Sequence, residues 1–197
     1  MRPRFFRGTI MFRNVAIAVF LASLVPVAAF AQVDRRDAAI FKDVAKQVSG
    51  YTRFTVFDDI QASVTQGVVT LYGKVTMPYK RDDIARRVGG VTGVRQVVNR
   101  ISVLPVSQFD DDLRYEIARA IYGNPSFWHY ASMINPPIHI VVENGHVTLT
   151  GVVNNDVEKM LARSIATGFN AFSVQSQLKT DAEARAELEK VEKGSTE

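Results

Sequence analysis

From Ile138 to Gly151 the chain reads IHIVVENGHVTLTG, with apolar and polar positions alternating on both sides of Asn144-Gly145. Alternation with a period of two marks a strand buried on one face only. Asn-Gly between two such runs marks a tight hairpin, because both turn residues must accept positive φ. A two-residue turn pairs Val142 with Val147 and Ile140 with Leu149, and these four share a face with Ile138. His139, Val141, Glu143, His146, Thr148 and Thr150 take the opposite face. The same pattern stands 78 residues earlier as IQASVTQGVVTLYG, Ile60 to Gly73, with Gln66-Gly67 at the turn. There the inner face is Ile60, Ala62, Val64, Val69 and Leu71, and the outer face is Gln61, Ser63, Thr65, Val68, Thr70 and Tyr72.

Helical periodicity flanks each hairpin. Ahead of the first, Ile40, Val44 and Val48 recur at helical spacing, with Asp34 or Asp37 as cap and Gly50 as stop. Ahead of the second, Leu113, Ile117 and Ile121 do the same, with Asp110 or Asp111 as cap and Gly123 as stop. Beyond the first hairpin, Pro78 suits a first helical position and Ile84, Val88 and Val91 form a stripe. Beyond the second, Asn154 to Asp156 supply caps and Val157, Leu161 and Ile165 form the stripe. Ile84 then matches Leu161 at an offset of 77, which places a one-residue loss in the turn before that helix. A third strand follows each unit, within VRQVVNRISVL from Val94 and AFSVQSQLK from Ala171. The offset of the first helices is 73, so the second copy holds five extra residues between its first helix and first strand.

The expected fold class is α+β: two tandem α-β-β-α-β units, each a three-stranded mixed sheet covered on one face by two helices. The units span residues 34–105 and 109–180, joined by the short PVSQF linker, Pro105 to Phe109. Residues 181–197 are charged and nearly free of large apolar side chains. They are expected as a frayed helix or a disordered tail.

Charge changes the picture only at the N-terminus. Residues 1–31 carry Arg2, Arg4, Arg7 and Arg13 and no acid, then an apolar run from Val15 to Val27 and a small-residue site. That order is a cleavable export signal, with cleavage expected after Ala31 and an uncleaved anchor as the alternative. The apolar run is shorter than the roughly 20 residues that a spanning helix requires. Subtracting the four leader arginines from 24 basic residues leaves 20, against 20 acids. The sequence pI of about 9.4 therefore reflects the leader, and no basic face argues for nucleic acid. The chain has no cysteine, which removes lipoprotein anchoring and disulfides alike. The expected location is periplasmic.

The repeated α-β-β-α-β unit, the GVVTLYG and GHVTLTG strands and the GVRQVVNRI strand resemble the BON domain, with two copies in tandem, similar to the osmotically inducible periplasmic proteins. The resemblance covers Asp34 to about Thr180. The second copy departs at Ser176, where the first has Asn99. The resemblance implies binding rather than catalysis: contact with phospholipid membranes or envelope components, in envelope maintenance or osmotic stress. With no acyl anchor, such contact is peripheral. A periplasmic stress chaperone, or an assembly adaptor for other envelope proteins, is the alternative.

Candidate chemistry is sparse. No nucleophile elbow, phosphate loop or metalloprotease helix occurs, so no catalytic residue and no cofactor is expected. Glu143 and His146 face each other across the turn, with His139 further down, but a metal needs three or four ligands. Lys80, Arg81, Arg86 and Arg87 are interleaved with Asp82 and Asp83 at intrahelical pairing distance, as on a solvated helix. Asp58-Asp59 sits beside a strand, where an edge charge discourages unwanted pairing. The five-residue excess is filled with aromatics: IYGNPSFWHYASMINPP, from Ile121 to Pro137. Tyr122, Phe127, Trp128, Tyr130, Met133 and Ile134 are the candidate residues for contact with a lipid surface or an envelope protein. The alternative is that they plug the gap between the two units. The oligomeric state is open.

Overall fold

The computed structural model describes residues 28–194. The expected leader lies outside the described residues, except that Ala28 opens the first helix. The element order is α1 (Ala28–Ser49), β1 (Asp59–Thr65), β2 (Val68–Val75), α2 (Pro78–Gly89), β3 (Gln96–Val103), α3 (Gln108–Tyr122), a 3-10 turn (Pro125–Phe127), α4 (Trp128–Ala131), β4 (Ile138–Glu143), β5 (His146–Val153), α5 (Asp156–Thr167), β6 (Ser173–Ser176), β7 (Lys179–Thr180) and α6 (Asp181–Gly194). The architecture is α+β, two α-β-β-α-β units in tandem. In the first, β1 pairs antiparallel with β2 and β2 parallel with β3. In the second, β4 pairs antiparallel with β5, and β5 parallel with both β6 and β7.

The registers follow the alternation. Val64 pairs with Val69 and Ala62 with Leu71 in one hairpin, and Val142 with Val147 and Ile140 with Leu149 in the other. Gln66, Gly67, Asn144 and Gly145 all have φ between 51° and 76°, the left-handed region that a two-residue hairpin turn imposes. The glycine that closes each repeated phrase has a different reason. A Cβ on Gly73 would stand 2.1 Å from the Asp59 carbonyl oxygen, and one on Gly151 would stand 1.8 Å from that of Pro137. The neighbouring backbone leaves no room for a side chain.

Each unit closes its own core. Ile40 and Val44 of α1, Val69, Leu71 and Val75 of β2, Ile84 and Val88 of α2 and Ile101 of β3 pack together in the first. Leu113, Ile117 and Ile121 of α3 pack with the inner faces of β4 and β5 in the second. A fully buried aliphatic of this kind contributes about 1.5–3 kcal/mol.

One aspartate of each first helix reaches across to the hairpin tip; in α1 it is Asp37, which lies nine residues inside the helix and, like Asp34, is not its cap. Asp37 accepts from the amides of Gln66 at 2.5 Å and Gly67 at 2.9 Å. Asp110, fully buried, accepts from Asn144 at 2.8 Å and Gly145 at 2.7 Å. Turn amides otherwise face water; here both oxygens of one carboxylate hold them. Asp110 is thus not the cap of α3. Ser107 is, accepting from the Asp110 amide at 3.2 Å.

Three further expectations are corrected. The stripe of α5 is turned by one residue: Ala162 and Ala166 are buried, Leu161 and Ile165 half-buried, and Val157 is 68% exposed. Ile84 therefore corresponds to Ala162, and the one-residue loss lies after the helix, before the third strand. Lys80 does not lie on a solvated face: it is buried against Asp58, Nζ to Oδ2 2.6 Å. Asp58 is no edge charge: it is fully buried and also holds the Thr55 and Thr76 amides, each at 2.8 Å. The charged tail is helical from Asp181 to Gly194. The Thr180 hydroxyl accepts from the Glu183 amide at 3.2 Å, and Glu183 accepts from the Thr180 amide at 2.8 Å, the reciprocal cap of a helix start.

Replacing the buried carboxylate by Asp110→Ala leaves the buried Gly145 amide and the part-buried Asn144 amide unsatisfied and is expected to cost about 2–4 kcal/mol in urea unfolding. Asp112→Ala, at an exposed position on the same helix, is expected to change stability by less than about 0.5 kcal/mol.

Candidate binding surface

The aromatic insert leaves α3 at Gly123. The Asn124 side chain accepts from the Ser126 amide at 3.0 Å, and the 3-10 turn runs into α4. This compact path sorts the six candidate residues into two sets. Phe127 is fully buried in the second core and stacks on Tyr130 with ring centroids 6.2 Å apart. Tyr130 is also buried. Its hydroxyl donates to Glu158 Oε2 at 2.7 Å and accepts from the Asn154 amide at 2.9 Å. Burial, with the adjacent Glu158 carboxylate, pushes the Tyr130 phenol up to about 12. Tyr122 is half-buried, and its hydroxyl donates to the Ile138 carbonyl. Its proton affinity is raised, chiefly by burial.

The other three face out. Trp128 is 62% exposed, Met133 48% and Ile134 98%. The Trp128 Nε1 donates to the Gly123 carbonyl at 3.2 Å, which holds the indole by its polar end and leaves its apolar body outward. The surface available to a partner is therefore Trp128, Met133 and Ile134, while Phe127, Tyr130 and Tyr122 form its footing. The plug they form lies in the second core rather than between the units.

The footing replaces a device of the first unit. There, Asp58 holds the Thr76 amide ahead of α2 and pairs with Lys80. Under the corrected offset, Asn154 corresponds to Thr76 and Glu158 to Lys80. In the second unit Tyr130 takes the place of Asp58, bonding the Asn154 amide and Glu158. A buried ion pair in one copy has become a tyrosine–glutamate contact in the other, and the insert supplies the tyrosine.

A second exposed aromatic group sits at the opposite end of α3. Phe109 and Phe172 stack with centroids 5.8 Å apart over the Asn144-Gly145 turn, with Phe172 73% exposed. The Phe172 amide donates to the Gly145 carbonyl at 2.9 Å, as the Arg95 amide does to Gly67 at 2.8 Å. The corresponding positions of the first unit are Arg36 and Arg95, so the fold does not require the phenylalanines. Sequence reading passed over this pair because its members lie 63 residues apart.

The third strands also differ. Asn99 Oδ1 accepts from the Ile101 amide at 3.1 Å, and its Nδ2 donates to the Arg81 carbonyl at 3.2 Å. Ser176 is too short for both bonds; its buried Oγ has no partner. The strand there breaks into β6 and β7. Among the described residues, no group of three or more His, Asp or Glu side chains is placed to hold a metal ion. No described helix is long and apolar enough to cross a membrane.

The BON domain model matches residues 36–105 and 110–182. The chain belongs to the BON domain family. That family is one of binding modules, not of enzymes. A search of curated proteins returned no significant match. Among solved structures, the chain is similar to the C-terminal domain of CdsD, the structural protein of the Type III secretion system of Chlamydia trachomatis, at 14% identity and a TM-score of 0.30, covering 73% of this chain and 66% of that one. A second CdsD structure matches at 12% identity and a TM-score of 0.23, covering 77% and 96%.

The split of the insert has a measurable consequence. Phe127→Ala is expected to cost about 3–5 kcal/mol in thermal or urea unfolding, as for a core aromatic. Trp128→Ala is expected to change stability by less than about 0.5 kcal/mol.

Proposed function

We propose that this BON protein is an exported, non-enzymatic binding module that associates peripherally with phospholipid surfaces of the cell envelope. The contact is made by Trp128, Met133 and Ile134. The observation that carries the reading is the exposure of these three beside a buried aromatic footing. They stand exposed on a short segment whose buried half, Phe127 and Tyr130, is locked into the second core. An apolar body with a polar end, as in Trp128, favours the boundary between headgroups and acyl chains. The Nε1 bond to Gly123 holds the Trp128 indole, which lowers the ordering cost of its insertion. Family membership supports the reading, since BON domains are associated with membrane and envelope contact, and periplasmic residence follows from the expected leader.

A second reading, a periplasmic stress chaperone or adaptor for envelope proteins, draws on the Phe109–Phe172 pair. It lies across the length of α3 from the insert and forms a separate exposed apolar site. That pair is an apolar contact point for a protein rather than for the bilayer that Trp128 meets.

Vesicle co-sedimentation of the chain without residues 1–31 tests the lipid reading, with zwitterionic and anionic vesicles run separately. The parent is expected to pellet with vesicles and to show a blue-shifted Trp128 emission. Trp128→Ala combined with Ile134→Ser is expected to lower partitioning by about tenfold or more, given roughly 1.5–3 kcal/mol for each apolar side chain buried. No pelleting and an unshifted emission on either vesicle type refute the lipid reading. Suppression of client aggregation that is lost in Phe172→Ser and kept in Trp128→Ala favours the second one.

A further inference from the structure

The seam between the two units is built unlike either core. The chain between α1 and β1 lies along the outer edge of β4. The Ile140 amide donates to the Val56 carbonyl at 2.7 Å, and Asn135 Nδ2 donates to the Ser49 carbonyl at 2.8 Å. Lys74 pairs with Glu143, both partly exposed. Phe57 packs onto the second core and meets Tyr115 edge-on at 5.1 Å. His139 of β4 sits in the middle of this seam. Its ring centroid is 5.3 Å from that of Phe54, and its buried Nδ1 has no hydrogen-bond partner.

We propose that His139 is a proton-operated latch: neutral, it lets the chain between α1 and β1 close over β4, and protonated, it opens the two units from each other. A neutral imidazole packs against Phe54 at little cost. An imidazolium there is a cation taken from water into a largely apolar seam. The carboxylates that face it are Asp58 and Asp59. Asp58 is committed to Lys80, Thr55 and Thr76. Asp59 and the Thr55 and Asp58 backbone favour the charged ring but do not outweigh burial, which sets the direction: the His139 pKa lies below the ordinary histidine value. From β5, the residue opposite His139 is Thr150, which carries no charge. The charges at the far side of the seam, Lys74 and Glu143, are already paired.

The sign follows from linkage. A histidine that binds its proton less readily when docked stabilises docking above about pH 6.5, its free value. That contribution is lost as the pH falls from there through the lowered docked value. Opening frees the Ile140 amide on the β4 edge and uncovers the Phe54 and Phe57 rings. The latch acts on the seam and does not depend on the lipid reading.

The absence of cysteine makes a direct test simple. Spin labels are placed at Thr92→Cys in the first unit and Ser164→Cys in the second, both exposed, and interlabel distances are measured in the full chain at pH 8 and pH 5. The parent is expected to show one narrow distance at pH 8 and a broad, longer population at pH 5, reversibly, with a midpoint below pH 6.5. His139→Phe, which keeps a ring and removes the titration, is expected to stay narrow at both values. Asp59→Asn, which removes the carboxylate that favours the charged ring in the closed seam and leaves His139 in place, makes a protonated ring there more costly and is expected to move the midpoint to higher pH. A parent distribution unchanged between pH 8 and pH 5 overturns the proposal. So does a pH response that persists in His139→Phe, or a midpoint that Asp59→Asn leaves unmoved or lowers.

Discussion

Both units depend on a single contact, a carboxylate of the first helix that grips the two amides of the hairpin turn. Asp37 does this in one copy and Asp110 in the other. A left-handed two-residue turn points its amides away from the ladder, and the carboxylate supplies the partner that the strands cannot. The contact fixes the hairpin against the helix. It thereby sets which strand residues meet Ile40 and Val44, or Leu113 and Ile117. A slip of one residue at the turn would turn every inner-face aliphatic outward. The repeated phrase follows from these demands: a glycine at the turn, alternating apolar residues, and a final glycine where the first strand begins against it.

Around that shared contact the copies have diverged. The first unit closes the approach to α2 with the buried Asp58–Lys80 pair. Breaking such a pair by removing one partner is strongly destabilising. The second closes the approach to α5 with Tyr130 and Glu158, and its extra length brings the aromatic side chains that do so. The insert thereby completes one core and displays Trp128, Met133 and Ile134 on its outer side. At the other end of α3, arginines in one copy correspond to phenylalanines in the other. Duplication preserved the interior and freed the ends for different contacts.

The strand registers, the turns, the order of elements and the division into two units were legible from alternation and Asn-Gly or Gln-Gly alone, because each is local. The facing of α5 was not. Val157, Leu161 and Ile165 form a good stripe, yet Ala162 and Ala166 are the fully buried positions, because the core takes the neighbouring row of the helix. Asp37 read as a helix cap, and Asp58 and Lys80 as surface charges, since their partners across the fold lie 18 to 30 residues away. The α6 start was written in the sequence as Thr180 and Glu183 at capping spacing, but the polarity of the segment masked it. Within the insert, composition could not separate Phe127 from Trp128. Only the 3-10 turn decides which ring points inward.

Amide hydrogen exchange at Gln66, Gly67, Asn144 and Gly145 tests the carboxylate contact most directly. Turn amides held by Asp37 and Asp110 should exchange as slowly as those of Leu71 and Leu149 in the adjoining strands, and open with them. Exchange at the rate of free, solvated turn amides, beside protected strands, would contradict the account.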